Sequence, residues 1–231
     1  QGQHQRPLEL ALEALERQGV PQSISWLENR LARAFAAAGK WHEADAAWER
    51  AERRLDVRSA SDSAQILDEW GRSLDQRGAY DRAEECFHRA LRMEPEASLA
   101  AARELNALGT LARQRDDLSA AESFLHQARS IRERLAPVSL ELASTINELG
   151  VLAAIRGEMA VAEESFSKAL ELQQRPAPDD VEAAGTLINL GNISQYRGDF
   201  ATAEERFRSA VDLIEGRRPD NQELARALTR L

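Results

Sequence analysis

Small, large and polar positions recur along this chain as a block. The segments LARAFAAAGKWHEADAAWERA, WGRSLDQRGAYDRAEECFHRA, LGTLARQRDDLSAAESFLHQA, LGVLAAIRGEMAVAEESFSKA and LGNISQYRGDFATAEERFRSA fall into one register without a gap. The small residue near each start is Ala32, Gly71, Gly109, Gly150 or Gly191, in steps of 39, 38, 41 and 41. Twelve positions on stands an alanine: Ala44, Ala83, Ala121, Ala162 or Ala203. Four further comes a large apolar residue, Trp48, Phe87, Leu125, Phe166 or Phe207, and three after it another alanine, Ala51, Ala90, Ala128, Ala169 or Ala210.

Each column has a physical reading, and together they predict five helix hairpins. Gly39, Gly78, Gly157 and Gly198 end the first helix of their blocks in a left-handed conformation that is cheap for glycine, and Asp116 takes that place in the third. Two residues later Trp41, Tyr80, Leu118, Met159 or Phe200 is expected to plug the turn. The glycines and alanines let two helix backbones approach closely, and the large residue fills the space they leave. A mid-helix glycine costs about 1 kcal/mol in propensity, so close packing must offset it. One hairpin cannot bury its apolar face alone, and stacking neighbours completes the core.

Composition agrees. Ala, Leu, Glu and Arg dominate while aromatics make up only 5%, which favours helices over sheets. The net charge of -9 disfavours nucleic acid and anionic membranes as partners. Cys86 is the only cysteine and cannot form an internal disulfide, which fits a reducing, cytoplasmic setting. No apolar run approaches the roughly 20 residues that span a bilayer, and the opening QGQHQRP carries neither an initiator Met nor a signal-peptide core.

The pattern of Leu-Gly, turn Gly, Ala-Glu, large aromatic and Ala resembles the tetratricopeptide repeat (TPR) from Ser25 to about Arg217. The long spacing, with LAPVSLELASTINELG and APDDVEAAGTLINLG, is similar to the repeats of kinesin light chain and of many bacterial TPR proteins. IRERLAPVSLELASTINELGVLA further resembles repeats that precede caspase-like CHAT peptidase domains in bacteria. The resemblance implies an all-α solenoid, a right-handed superhelix of antiparallel helix pairs. Five full repeats are expected at about 22–58, 59–96, 97–136, 137–177 and 178–217. A tail at 1–6 and a capping helix at 7–21 precede them, and the first helix of a truncated sixth repeat follows at 218–231. That last reading comes from spacing. Pro137 and Pro178 each stand 13 residues before a repeat glycine, and counting 13 from Pro219 passes Leu231 by one, so the natural protein is expected to continue.

The family uses a groove lined by first helices to hold peptides or partner helices. The positions carried over are Asn29, Arg33, Asp68, Arg72, Arg103, Asn106, Arg113, Asn147, Asn189, Asn192 and Gln195. Asparagine offers a donor and an acceptor, so a ladder of Asn29, Asn106, Asn147 and Asn189 suits the backbone of an extended peptide. The arginines can grip acidic side chains. The chaperone-binding carboxylate clamp is not expected, since Lys40 and Lys168 are the only lysines and neither takes a groove position. Trp26 is a further candidate anchor.

Catalysis, metal and cofactor binding find no support. The histidines His4, His42, His88 and His126 lack the three- or four-residue spacing of helical ligands, and no phosphate loop or nucleophile elbow occurs. Glu84, Glu122, Glu163 and Glu204 are expected to pair with arginines one turn away on their own helices. The expected function is a non-enzymatic scaffold for a peptide, a partner protein or another domain of the same chain, as the regulatory or recruiting arm of a larger bacterial signalling or CHAT-type protein. The alternative is a structural module that forms homodimers through its terminal repeats.

Overall fold

The computed structural model describes residues 21–54, 60–174 and 181–215. The expected tail, the capping helix up to residue 20 and the sixth-repeat helix lie outside the described residues. Within them the chain forms α1 (Pro21–Ala37), α2 (Trp41–Arg53), α3 (Ala60–Gln76), α4 (Tyr80–Met93), α5 (Leu99–Gln114), α6 (Leu118–Leu135), α7 (Leu140–Ile155), α8 (Met159–Gln174), α9 (Val181–Tyr196) and α10 (Phe200–Glu215). No strand occurs among the described residues.

One turn design joins the two helices of every hairpin. Gly39, Gly78, Gly157 and Gly198 have φ of 73°, 77°, 80° and 80°, and Asp116 has φ of 65°. The amide after each reaches back five residues: Lys40 to the Phe35 carbonyl, Ala79 to Leu74, Asp117 to Ala112, Glu158 to Ala153 and Asp199 to Ser194, at 2.9–3.0 Å. This six-to-one bond satisfies a carbonyl that the end of the helix would otherwise orphan. Helix starts are also capped, by Ser98 on the Ala101 amide, Asp117 on Ala120, Ser139 on Leu142 and Asp199 on Thr202.

The chain divides into two compact units at Leu111 and Ala112, inside α5. In the first, Trp48 and Phe87 are almost fully buried between the alanine columns. A Cβ placed on Gly71 would stand 2.7 Å from Phe87 Cε1, so the absent side chain is what admits the ring. Trp48 stacks on Trp70 with centroids 6.5 Å apart, which ties the first hairpin to the second. In the second unit Gly150 and Gly191 seat Phe166 and Phe207 in the same manner. Phe166 packs with Ala153, Ala162, Leu190 and Ile193, so the ring of one hairpin enters the core it shares with the next. Full burial of each large apolar side chain is worth about 1.5–3 kcal/mol.

Two expectations need correction. Trp41, Tyr80 and Phe200 do not plug their turns, since they are 41%, 37% and 68% exposed. A residue at the start of a second helix lies at the edge of its hairpin, and what covers Trp41 is the Arg77 guanidinium of the next hairpin, 5.5 Å from the ring centroid. The acidic residues after the packing alanine also choose other partners. Glu122 pairs with Arg156 at 2.9 Å and Glu163 with Arg197, and Asp45 in the first unit pairs with Arg77. These contacts join successive hairpins, because the arginine before a turn residue lies above the start of the preceding second helix. Glu204 follows the expected one-turn pattern, with Arg208 at 2.6 Å, while the residue one turn from Glu84 is His88, at 3.9 Å.

Candidate functional site

The candidate residues sit on first helices, and the structure separates them into three groups. Asn29 belongs to the core. It is 7% exposed, and its Oδ1 accepts the indole N–H of Trp48 at 2.9 Å. Trp48 stands where other repeats carry Phe or Leu, and a buried indole needs an acceptor. That pairing was the signal for a structural asparagine.

The arginines form the second group, and they are matched to acids of this chain. Arg33 lies 3.7 Å from Glu69, and Arg72 donates to Asp68 at 2.8 Å. Arg103 Nε donates to Glu104 at 3.1 Å and stands 3.4 Å from the second Asp68 oxygen. In the other unit Arg113 donates to Glu148 at 3.1 Å. Asp68 and Glu104 are both buried. Burial first, and Asp68 second, push the Glu104 carboxyl up to about 7, against the pull of Arg103 and Arg72. Sequence reading missed this cluster because Glu104 is a polar residue at a helix position that the other repeats fill with Leu27, Ile66, Thr145 and Thr186.

The third group lines a cleft. Asn147 on α7 and Asn189 on α9 meet, with Asn189 Nδ2 donating to Asn147 Oδ1 at 3.2 Å and Thr186 Oγ1 donating to the same oxygen at 3.4 Å. They line a cleft of about 460 Å³ together with Ser144, Glu148, Gln173, Glu182, Gly185, Ile188 and Asn192. The Asn147–Asn189 contact joins two members of the asparagine ladder directly. Asn106 stands half-buried on α5 in the first unit, and Gln195 is exposed near the end of α9.

Trp26 is 57% exposed with the Arg30 guanidinium 4.9 Å from its ring centroid, beside a smaller cleft of about 160 Å³ between α1 and α3. Among the described residues no three potential metal ligands cluster. Burial pushes the Cys86 thiol up to about 12, so it stays protonated at neutral pH. No described helix is long and apolar enough to cross a membrane.

Comparison with known proteins fits this geometry. Tetratricopeptide-repeat family models match residues 105–137 and 141–216. No curated protein matches the chain in sequence. Among solved structures, BtubC (BKLC) from P. vanneervenii is similar at 23% identity and a TM-score of 0.79, over 94% of this chain and 93% of that one. PilF of Pseudomonas aeruginosa is similar at 18% identity and a TM-score of 0.63, over 91% and 82%. MamA gives 18% identity and a TM-score of 0.56, over 83% and 92%. These likenesses establish the fold, an all-α TPR solenoid.

Proposed function

We propose that this tetratricopeptide-repeat protein is a non-enzymatic scaffold that holds a peptide, or a segment of a partner protein or neighbouring domain, against the first-helix face of α7 and α9. TPR repeats in general mediate protein–protein interaction. The observation that carries the proposal here is the cleft lined by Asn147, Asn189 and Asn192, whose amides offer both donors and acceptors to a main chain. The arginines lend no comparable support, because Arg33, Arg72, Arg103 and Arg113 each have a carboxylate of this chain beside them. We place the scaffold as the regulatory or recruiting arm of a larger bacterial signalling or CHAT-type protein, a reading that rests on sequence resemblance.

Selection of peptides from a random display library on the 231-residue chain tests the proposal. Selected peptides should lose at least tenfold in affinity when Asn147, Asn189 and Asn192 are changed together to Ala, with the helical signal unchanged. Peptides indifferent to that triple change would remove the cleft from the account.

A second reading, self-association, is favoured by one patch. Tyr196 and Phe200, on the two helices of the last described hairpin, are 73% and 68% exposed. Large exposed aromatics mark contact surfaces more often than isolated aliphatic residues do. Light scattering over a concentration series separates the readings: a mass that doubles, and returns to the monomer value in the Tyr196→Ser, Phe200→Ser chain, supports self-association.

A further inference from the structure

Gly185 is a glycine with no packing reason. At Gly71, Gly150 and Gly191 an added Cβ would strike a phenylalanine ring, whereas at Gly185 it would meet nothing within 4 Å. A glycine inside a helix weakens it by about 1 kcal/mol relative to alanine. Nothing in the fold of α9 offsets that cost. What its missing side chain does is leave open the wall of the α7–α9 cleft that it lines.

The second observation concerns another residue of the same cleft lining. Gln173, near the end of α8, is 2% exposed, and its Oε1 has no hydrogen-bond partner. A buried amide oxygen without a donor costs about 1–3 kcal/mol. A donor entering the cleft would recover that loss.

The charge of the walls decides which donor. The charged residues lining the cleft are Glu148 and Glu182, and none is basic. Arg113, which reaches the wall residue Glu148, is engaged with it at 3.1 Å. The Asn147 oxygen already receives Thr186 and Asn189. An anionic group would meet like charge and an unpaired oxygen, while an ammonium or guanidinium group carries donors only and a positive charge.

We infer that the α7–α9 cleft is a pocket for a basic side chain, lysine or arginine, of the bound segment, admitted over Gly185 and received by Gln173 Oε1. The inference rests on the peptide-binding reading above and sharpens it: the segment held by this chain carries a cationic residue where it crosses α9.

The test uses small probes on the full chain. In a proton–nitrogen NMR titration, Nα-acetyl-arginine amide should move the Gly185 backbone resonance and the Gln173 side-chain amide, saturating at concentrations on the order of millimolar, as befits a fragment. Nα-acetyl-citrulline amide has nearly the same shape without the charge, and should bind at least fivefold more weakly. Nα-acetyl-glutamate amide should leave both signals in place. Gly185→Leu puts a helix-favouring side chain into open space, so it should fold and lose the arginine shifts at least tenfold. The inference fails if arginine amide leaves the two signals still, if citrulline amide binds equally well, or if Gly185→Leu changes nothing. Display-selected peptides that bind without a basic residue would likewise refute it while leaving the scaffold reading intact. Arginine shifts as described, with no peptide selected, would uphold the pocket and remove the scaffold reading.

Discussion

The indole N–H of Trp70 donates to Asp45 Oδ1 at 2.8 Å, from the second hairpin to the first. Asp45 also receives Arg77 and, at 3.0 Å, Arg82, so one carboxylate fastens three side chains of the following hairpin. Burial raises its pKa, but the bonds from Arg77, Trp70 and Arg82 together outweigh burial and hold it below the usual carboxylate value. A depressed folded pKa means the stabilisation is present above about pH 4 and is lost as pH falls further. Asp45→Asn should cost about 1–3 kcal/mol at neutral pH, since it strips charge from a half-buried network. Urea unfolding at pH 7 and pH 3 checks it: the variant and the parent should converge at the lower pH, and a gap that stays constant would mean the charge of Asp45 is not what matters.

Gly150 and Gly185 lie in the same compact unit, and they should respond to alanine with opposite signs. At Gly150 the new Cβ would stand 2.7 Å from Phe166 Cε1 and 3.1 Å from Ser165 Cβ, so the buried ring must move. Gly150→Ala should cost roughly 1–3 kcal/mol. Gly185→Ala should stabilise by about 0.5–1 kcal/mol through helix propensity alone. Thermal melts of the two variants suffice, and a loss of stability at Gly185 would show that the fold does use that glycine.

Much of this fold was legible because each repeat column states one local constraint. A left-handed turn needs Gly or Asp116, close helices need Ala, and the large residue fills the gap. What escaped were relations between columns. The acids Glu122 and Glu163 suggested partners one turn away, yet they pair with Arg156 and Arg197 in the next hairpin, as Asp45 does with Arg77. The signal was present as an arginine directly before the turn residue at 77, 115, 156 and 197. The bond between Asn29 and Trp48 escaped for a similar reason, as it depends on a tryptophan 19 residues later. The α7–α9 cleft was half legible. Its asparagines follow the repeat, while Gly185 and Gln173 belong to no repeat column and required the packing to interpret them.

Ala162 offers a test of how far a defect spreads. It is fully buried beside Phe166, Leu190 and Ile193, so Ala162→Leu should overpack that contact and cost roughly 1–3 kcal/mol. Repeat arrays transmit such defects mainly to neighbours. Hydrogen exchange should therefore quicken most in α7 to α10, and much less in α1 to α3. Uniform quickening would indicate that the chain unfolds as one cooperative block.

Glu104 should give the chain a pH dependence of unusual sign for a carboxylate. Its side chain is wholly buried, Oε1 accepts from Arg103, and Oε2 has no hydrogen-bond partner. Its pKa of about 7 lies above the ordinary value of 4.5. Between those two values the unfolded chain is ionised at this residue while the folded chain still holds the proton. The folded state then binds more protons, so Glu104's contribution to stability falls as pH rises from about 4.5 to 7 and is level above that. Asp68, Arg72 and Arg103 are the charged groups around it, and Asp68 deepens the effect while the arginines moderate it. Glu104→Gln removes the ionisable group but keeps its shape. The stability of the variant relative to the parent should therefore grow by on the order of 2–3 kcal/mol between pH 5 and pH 8. Urea titrations at half-unit pH steps read this difference directly, and a difference flat across the window would mean that Glu104 ionises in the folded chain at its ordinary pH, satisfied by Arg103 and Arg72.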